Sequence, residues 1–329
     1  MTPCVSVVMP VYNVQAYVAE AIRSVLAQTL TDLELIIVDD GGNDDSVAIC
    51  ESFDDPRIRI VHQANRGLAG ARNTGIAEAR GRFIALLDSD DRWLPEKLSL
   101  HVIHLENNPH VGVSYCPSQF IDERGNVMRL KQKPRLRNIR SEDIFCRNPV
   151  GNGSAPVLRR AALDIVAFRS PNDPERTCWF DEDFRQSEDI EMWLRLSVKG
   201  GIRFEGIAPA LTQYRVAASG LSAQVLRQYQ SWLNVIEKLE LYAPEFAAQH
   251  TPRARAYQLR YLARRSVQMG DPSMATTMLR EAMTSSLRPM IEEPLKTLVT
   301  AIAVFAARTL SPASFSRVAG SFSGGRLVA

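Results

Sequence analysis

The chain has 329 residues, of which 45% are hydrophobic and 23% are charged, and its formal net charge is +2. This composition is ordinary for a globular protein with one large α/β domain and an appendage, or with two domains. The weak overall charge gives no reason to expect a nucleic-acid partner. The five cysteines are scattered without CxxC spacing, which argues against a disulfide framework or a zinc knuckle and favours a reducing cytosol.

Neither end of the chain carries a recognisable export or membrane-spanning pattern. Strand-like residues begin at Val5 with no basic and then apolar segment before them, so we expect no signal peptide. The longest uncharged run near the C-terminus, Thr297 to Ala307, has eleven residues. A bilayer-spanning helix needs roughly 20. The predicted location is the cytoplasm, either free or peripheral on the inner face of the plasma membrane.

Apolar β-rich runs alternate with amphipathic segments through the first hundred residues. Strands are predicted at 5–9, 33–38, 58–61 and 82–87. Helical spacing of apolar residues follows the strands, at 18–26, 46–53, 68–79 and from Pro95 onwards. The alternation predicts an α/β fold, with an open, mainly parallel, twisted sheet flanked by helices and a C-terminal α-helical extension.

Two acidic clusters follow predicted strands. Asp39-Asp40 ends the second strand, and Asp88-Ser89-Asp90-Asp91 ends the fourth. Ligands bind beyond the carboxyl ends of the strands in such sheets, so both clusters are expected in one site. Three carboxylates within four positions repel each other, whereas Mg²⁺ or Mn²⁺ prefers such oxygen ligands and in turn holds a diphosphate. A solvated acidic turn is the alternative.

Two glycine-containing segments accompany these clusters. Gly41 and Gly42 follow the second strand and let a ligand approach closely, although the same residues also fit a turn before a helix. The segment 65–75 places small residues at helical spacing beside Arg72, which can hold a phosphate bidentately. Structural packing explains its glycines and alanines equally well. The sequence has no GxGxxG and no P-loop lysine, so dinucleotide and P-loop sites are excluded.

The segment 187–195 predicts the start of a helix. Ser187 is the expected N-cap, and Glu188 and Asp189 fall in the first turn, where a helix stabilises carboxylates as anions. A capping role alone fits this position. A general base fits it as well, and such a base has to be ionised and within hydrogen-bonding distance of a hydroxyl.

The rest of the chain has an irregular middle and a helical end. Five basic residues in the middle alternate at period two and would share one face of an extended strand, where they could meet an anionic acceptor: Arg129, Lys131, Lys133, Arg135 and Arg137. A helical hairpin is expected over 255–286 and an amphipathic helix over 295–310. Residues 251–329 carry eleven Lys/Arg against four Asp/Glu, a net of +7. Peripheral contact with an anionic membrane and packing onto the protein core are both consistent with this segment.

Taken together, these segments resemble the family 2 glycosyltransferases of the GT-A fold. The resemblance covers roughly residues 4–217 and rests on Val8-Met9-Pro10-Val11-Tyr12-Asn13, Val38-Asp39-Asp40-Gly41, Ala71-Arg72-Asn73, Leu87-Asp88-Ser89-Asp90-Asp91 and Glu188-Asp189, in that order. It implies inverting transfer of a sugar from a UDP-, GDP- or dTDP-sugar to a hydroxyl of a glycan or lipid-linked acceptor, in the synthesis of a polysaccharide, lipopolysaccharide or other cell-surface glycan. It also implies a divalent cation, Mn²⁺ or Mg²⁺.

The resemblance assigns roles to residues and regions. The nucleotide-sugar is expected to contact Pro10, Tyr12, Asn13, Asp39, Asp40, Arg72, Asp88 and Asp90. Asp88, Asp90 and Asp91 are expected around the metal, with Asp189 as the catalytic base and Glu188 beside it. The nucleotide-sugar-binding half is predicted at 1–110, the acceptor-binding half at 111–217 and the helical extension at 218–329.

Three features depart from the family pattern. Gly41-Gly42-Asn43 replaces the usual Gly-Ser-Thr, and the segment 170–179 looks like an insertion. Ala217 stands where relatives often carry a His after Tyr-Arg-Val, and Arg215 is then expected to take over part of the contact with phosphate. The missing His keeps a second hypothesis open, that of a relative which binds a nucleotide-sugar with little or no turnover.

Overall fold

The computed structural model describes residues 2–170, 173–216 and 225–310. The strands are β1 (Val5–Val11), β2 (Leu33–Asp39), β3 (Ile58–His62), β4 (Phe83–Leu86), β5 (Arg92–Trp93), β6 (Val111–Tyr115), β7 (Ser118–Ile121), β8 (Val127–Lys131), β9 (Val157–Arg159), β10 (Phe168–Ser170), β11 (Asp173–Cys178), β12 (Arg203–Gly206) and β13 (Thr212–Arg215). The helices are α1 (Val18–Leu26), α2 (Ser46–Glu51), α3 (Gly67–Glu78), α4 (Lys97–Asn107), α5 (Ser141–Arg147), α6 (Arg160–Val166), α7 (Glu188–Leu194), α8 (Val225–Tyr242), α9 (Pro244–Gln268), α10 (Pro272–Ser285), α11 (Arg288–Glu292) and α12 (Pro294–Thr309). A π-helical turn, Arg195–Lys199, continues α7.

A seven-stranded sheet in the order β12-β6-β9-β4-β1-β2-β3 forms the centre of the fold. β1 pairs in parallel with β2 and β4, and β2 pairs in parallel with β3. All seven residues of β1 are buried, as expected for a strand covered by helices on both faces. The predicted mainly parallel α/β sheet is confirmed, and β9, antiparallel to β4 and β6, is its exception. A four-stranded sheet has the order β5-β13-β7-β8.

The small residues of α3 bring this helix close to the sheet. A β-carbon at Gly75 would collide with Val8 and would lie 3.2 Å from Val38 Cγ2. Ala71 on the same helix is fully buried. Helix–sheet packing therefore accounts for Gly75 and is consistent with buried Ala71, in line with one of the two predicted roles of this segment.

The basic segment 129–137 is not one extended strand. β8 ends at Lys131, Gln132 N still donates to Ser118 O at 2.8 Å, and residues 133–137 lie outside the sheets. Arg135 Nη1 then binds Asp143 Oδ2 at 3.1 Å, and Arg137 Nε lies 3.8 Å from Glu205 Oε1. The prediction that five charges share one strand face is wrong, because the strand stops after the second of them.

The chain divides into two compact units, Met1–Ile144 with Asn148–Ala217, and Phe145–Arg147 with Ala218–Ala329. The second unit contains the predicted hairpin, formed by α9 and α10, and the predicted amphipathic helix, α12. The predicted three-part division at 110 and 217 stays a prediction. Across the described residues, we find no helix whose length and apolar character would let it cross a membrane.

Candidate active site

Three parallel strands bring the predicted site residues to one edge of the sheet. β1 leads to Tyr12 and Asn13, β2 to Asp39 and Asp40, and β4 to the acidic run that begins at Asp88. Pro10 lies inside β1 and is buried, whereas Tyr12 is 51% exposed. Asn13 Oδ1 accepts a hydrogen bond from the backbone N–H of Asn43 at 2.8 Å. Asn13 therefore ties the end of β1 to the turn after β2.

The two carboxylates at the end of β2 hold the loops around them. Asp39 Oδ1 accepts a hydrogen bond from Gly41 N at 3.0 Å, and its Oδ2 lies 3.0 Å from His62 Nδ1. Asp40 is 2% exposed, and its Oδ1 accepts hydrogen bonds of 2.7 Å from Arg66 N and from Gln63 Nε2. Burial raises the pKa of Asp40, and the bond from Gln63 opposes this. Asp40 thus fixes the segment that leads into α3.

The three carboxylates after β4 have different surroundings. Asp91 is 1% exposed, and both of its oxygens are used: Oδ1 accepts from Arg215 N at 2.8 Å and Oδ2 from Ser154 Oγ at 2.6 Å. Asp88 Oδ1 accepts from Arg72 Nη2 at 2.6 Å. Asp90 is half-buried, and among the described residues no other residue donates a hydrogen bond to its carboxylate. Asp91 therefore holds neighbouring segments together, whereas the carboxylate of Asp90 is available to bind a ligand.

The available carboxylate fits a cation. Burial is the main cause that raises the pKa of Asp90, and the charge of Asp88 raises it further. A carboxylate that is desolvated beside another one is stabilised by a divalent cation, which prefers such oxygen ligands. The described residues contain no group of three or more His, Cys, Asp and Glu side chains that could hold a metal by itself. A metal here would therefore need oxygen atoms from a ligand or water in addition to the protein.

A buried arginine joins the two acidic motifs. The side chain of Arg72 is 2% exposed; its Nη2 donates to Asp88 Oδ1 and its Nη1 donates to Glu188 Oε1 at 2.8 Å. Its guanidinium also lies over the ring of Phe180, 5.3 Å from the ring centre. This geometry argues against the predicted contact of Arg72 with a phosphate, because the side chain is enclosed and both of its terminal nitrogens bind carboxylates. Arg72 instead links residues that are a hundred positions apart in the chain.

Asp189 lies next to this linkage with its carboxylate largely available. Its Oδ1 accepts from the N–H of Ile190 at 2.8 Å, and its Oδ2 has only a long contact of 3.4 Å from Asn148 Nδ2. Burial raises the pKa of Asp189, the charge of Glu188 raises it further, and Arg72 opposes both. A carboxylate with an available oxygen and a raised pKa is suited to accept a proton near neutral pH.

The structure qualifies two predictions about the surrounding residues. The predicted helix start is confirmed, because α7 begins at Glu188 with Ser187 in the N-cap position, but Ser187 has a left-handed backbone (φ 61°) and its side chain makes no capping hydrogen bond. The side chain of Arg215 is buried and donates to Asp90 O, Asp122 O, Glu123 O and Glu20 Oε2. These contacts leave no guanidinium edge for the predicted phosphate. The substituted position, Ala217, lies outside the described residues, as do positions 171 and 172 of the apparent insertion.

Sequence reasoning missed two residues of the site. Ser154 Oγ donates to Asp91 and also accepts from Asp88 N at 3.0 Å, so it holds both ends of the acidic turn. A β-carbon at Gly153 would collide with Arg72 Nη2, so this position has to be glycine for Arg72 to reach Asp88. The pair Gly153-Ser154 just before an apolar run was a weak signal, because its neighbours in space are far away in sequence.

A mainly parallel sheet with acidic strand ends at one edge, and with a later helix contributing a further pair of carboxylates, defines the class of GT-A folds. Solved structures bear this out at the level of the fold. The chain is similar to TarS 1–349 of S. aureus in complex with UDP-GlcNAc, with a TM-score of 0.59, 16% identity and coverage of 92% of this chain and 91% of the other. It is also similar to the mannosyltransferase PcManGT of Pyrobaculum calidifontis in complex with GDP-Man and Mn²⁺, with a TM-score of 0.58, 20% identity and coverage of 94% and 83%.

The predicted resemblance is confirmed at the level of the family. Residues 6–165 match the model described as Glycosyl transferase family 2. An uncharacterized glycosyltransferase of Rickettsia felis is 33% identical over 216 residues, which are 65% of this chain and 33% of that protein. The beta-1,3-glucosyltransferase WfgD of Escherichia coli, named as using UDP-Glc and alpha-D-GlcNAc-diphosphoundecaprenol, is 28% identical over 70% of this chain and 85% of its own length. The match to the Rickettsia felis protein thus spans about a third of that relative.

Proposed function

We propose that this protein transfers a sugar from a nucleotide-diphosphate sugar to a hydroxyl of a glycan or lipid-linked acceptor, with inversion at the sugar carbon. One observation carries the proposal: buried Arg72 binds both Asp88 and Glu188 and so holds the strand-end carboxylates beside Asp189. The match of residues 6–165 to the family model is consistent with it. A capping role alone would not explain why Glu188, at the start of α7, shares a buried arginine with Asp88.

In the proposed reaction Asp189 is the general base. The carboxylate of Asp189 takes the proton from the acceptor hydroxyl, and the hydroxyl oxygen attacks the anomeric carbon. The nucleoside diphosphate leaves from the opposite side of that carbon. One displacement inverts the configuration and needs no covalent nucleophile. Glu188, held by Arg72, fixes the position of the first turn of α7 and keeps Asp189 beside a fixed negative charge.

The strand ends are proposed to bind the donor. Asp39 and Asp40 with the turn after β2 would lie beside the nucleobase, with Pro10, Tyr12 and Asn13 at the end of β1. Asp88 would bind the ribose. Asp90 is proposed as the protein ligand of a divalent cation, because its carboxylate is free while both oxygens of Asp91 are hydrogen-bonded. When bound, such a cation neutralises the charge that develops on the departing diphosphate.

For the donor and the acceptor we propose chemical classes and no single compound. The structural neighbours are described in complex with UDP-GlcNAc and with GDP-Man and Mn²⁺, so both a uracil and a guanine nucleotide are candidates here, as is a thymine nucleotide. The name of the WfgD relative specifies a diphosphoundecaprenol-linked acceptor. A lipid-linked acceptor in cell-surface glycan synthesis at the inner face of the plasma membrane is therefore the first class to test.

The decisive experiment replaces Asp189 by Asn. We expect Asp189→Asn to lower the rate of transfer by about 10²–10⁴ while leaving binding of the nucleotide-sugar within a few fold, because a general base acts on the acceptor hydroxyl. Transfer and donor hydrolysis are measured over a panel of nucleotide-sugars with Mn²⁺, and donor binding by calorimetry. Asp183→Asn, which changes an exposed carboxylate in the loop before α7, is the control and should behave like the parent protein.

Two results would decide against the proposal. Full transfer activity in Asp189→Asn would remove Asp189 from the base role. Nucleotide-sugar binding by the parent protein without hydrolysis or transfer for any donor would instead favour the alternative, a binding relative with little turnover.

A further inference from the structure

The last described helix presents its largest apolar side chains to solvent. On α12 the exposed fractions are 77% for Leu295, 56% for Leu298, 61% for Val299, 52% for Ile302 and 69% for Phe305. Spacings of three and four residues place these side chains on one face of the helix. Isolated exposed leucines are common on protein surfaces, but a continuous face of five is not.

The opposite face of α12 is the one that packs against the protein. It presents Thr297, Thr300 and Val304, all buried, with Val304 in the apolar cluster of α9 and α10. The two threonines satisfy their hydroxyls locally: Thr297 Oγ1 donates to Pro289 O and Thr300 Oγ1 to Lys296 O, each at 2.8 Å. The more polar face is therefore turned inward and the more apolar face outward, the reverse of an ordinary surface helix.

The short helix before α12 also exposes apolar side chains. Met290 and Ile291 of the short preceding helix α11 are 50% and 71% exposed. The acidic side chains in this region are neutralised within the unit: Glu292 pairs with Arg147 and Arg253, and Glu293 pairs with Arg260 and Lys296.

The charges around this face point to an anionic occupant. No Asp or Glu follows Glu293 in the sequence, whereas Lys296, Arg308, Arg317 and Arg326 do. Lys296 and Arg308 are exposed on α12 itself. A second copy of the chain would bring the same positive charges to the interface, whereas anionic lipid headgroups would neutralise them.

We propose that α12, together with the end of α11, binds the surface of an anionic lipid bilayer. The apolar face enters the boundary between headgroups and acyl chains, and Lys296 and Arg308 lie among the headgroups. This mode of binding lies on the membrane and does not cross it, in line with the absence of a spanning helix among the described residues. The proposal does not depend on the glycosyltransferase proposal, because it rests on residues of the second unit alone.

The test is flotation of the full chain with vesicles of phosphatidylcholine, with and without phosphatidylglycerol. We expect binding to the phosphatidylglycerol vesicles that weakens at high salt, and weak binding to pure phosphatidylcholine. The double variant Leu298→Gln/Ile302→Gln should bind about tenfold more weakly, which corresponds to about 1.4 kcal/mol. Lys296→Gln/Arg308→Gln should lose the preference for anionic vesicles while retaining most of the apolar contribution.

A matched control separates this face from general hydrophobicity. Leu226→Gln/Leu241→Gln removes two leucines that are 60% and 85% exposed on α8, and vesicle binding should not change. Thermal unfolding checks that each variant folds. Equal vesicle binding by the Leu298/Ile302 variant and the parent protein would overturn the proposal. So would a parent protein that forms dimers in sedimentation, does not bind vesicles and becomes monomeric in that variant, because the face would then be an interface between copies.

Discussion

Asp189 is the residue on which the proposed chemistry depends, and its surroundings determine the pH at which it can act. A general base works only when ionised, and burial together with Glu188 raises the pKa of Asp189 above the ordinary value of 3.8. Arg72 limits this rise, so the base is neither an ordinary surface carboxylate nor permanently protonated.

This shift predicts the pH dependence of transfer. The ionised fraction of Asp189 falls as the pH is lowered through its raised pKa, so kcat/KM should fall about tenfold per pH unit below that value and be constant above it. The profile is measured at saturating Mn²⁺ with a neutral acceptor. The residual activity of Asp189→Asn should lack this acid limb. A parent protein with constant kcat/KM down to the ordinary pKa of an aspartate would contradict the prediction.

Asp90 gives a second prediction, about stability without metal. Its raised pKa means that the folded state binds its proton more tightly than the unfolded state does, so the free energy of unfolding decreases as the pH rises from about 3.8 through the raised value. Above that value Asp90→Asn should stabilise the metal-free protein by about 1 kcal/mol and abolish metal-dependent donor binding. Urea unfolding in EDTA measures the first effect and calorimetry the second.

The control for Asp90 is Asp54→Asn, an exposed aspartate without a hydrogen-bonded side chain among the described contacts. It should change neither the stability nor the binding of a donor. A less stable Asp90→Asn protein in EDTA would mean that the carboxylate stabilises the fold and is not held ready for a cation.

At the scale of secondary-structure elements, the site depends on how three of them meet. Arg72 comes from α3, Asp88 follows β4, and Glu188 begins α7. α3 can place its arginine there because Gly75 lets the helix lie directly against Val8 of β1. The loop of Gly153 and Ser154 then leaves room for the guanidinium and holds the acidic turn.

This arrangement predicts that Arg72→Met destabilises the protein strongly. Removing the cation leaves Asp88 and Glu188 without their buried partner, which should cost about 3–5 kcal/mol of unfolding free energy in urea. Arg80→Met changes an exposed arginine two residues after the end of α3 and should change stability by less than about 0.5 kcal/mol. Replacing Glu188 by Gln in the Arg72→Met background should recover part of the loss. An Arg72→Met protein as stable as the Arg80→Met protein would show that the linkage contributes little.

The elements themselves were largely predictable, whereas their ends and their capping were not. Strand-forming runs such as 33–38 and helical spacing such as 68–79 are local properties of the chain, and both elements are present with small shifts at their ends. The prediction of one extended strand over 129–137 was wrong because alternation of charge does not supply the apolar face that keeps a strand in a sheet. Ser187 is the N-cap residue of α7 as predicted, but its backbone is left-handed and its side chain makes no capping bond, which its sequence context did not indicate.

At the scale of the whole molecule, binding of a donor should be visible as a gain in stability. A ligand present at about 100 times its Kd stabilises the folded state by about 2.7 kcal/mol, which raises the melting temperature by several degrees. We expect this for at least one of UDP, GDP and dTDP, only with Mn²⁺ or Mg²⁺ present, and not for Asp90→Asn. The nucleotide that gives the largest shift identifies the base of the donor. A panel without any metal-dependent shift would contradict the donor proposal.

The sequence alone determined the class of sheet, the edge at which the acidic residues meet and the resemblance to the glycosyltransferase family whose model matches residues 6–165. These follow from short-range patterns, because strands that alternate with helices end at the same edge. Only the tertiary structure decided which charged groups remain available. Arg72 and Arg215 are enclosed by carboxylates and carbonyls, and both oxygens of Asp91 are hydrogen-bonded to other residues. Among the described residues no other residue donates to the carboxylate of Asp90, and Oδ2 of Asp189 has only a 3.4 Å contact. The physical reason is that burial and hydrogen bonding are set by partners such as Ser154 and Glu188, which are far apart in the chain and meet only when it folds.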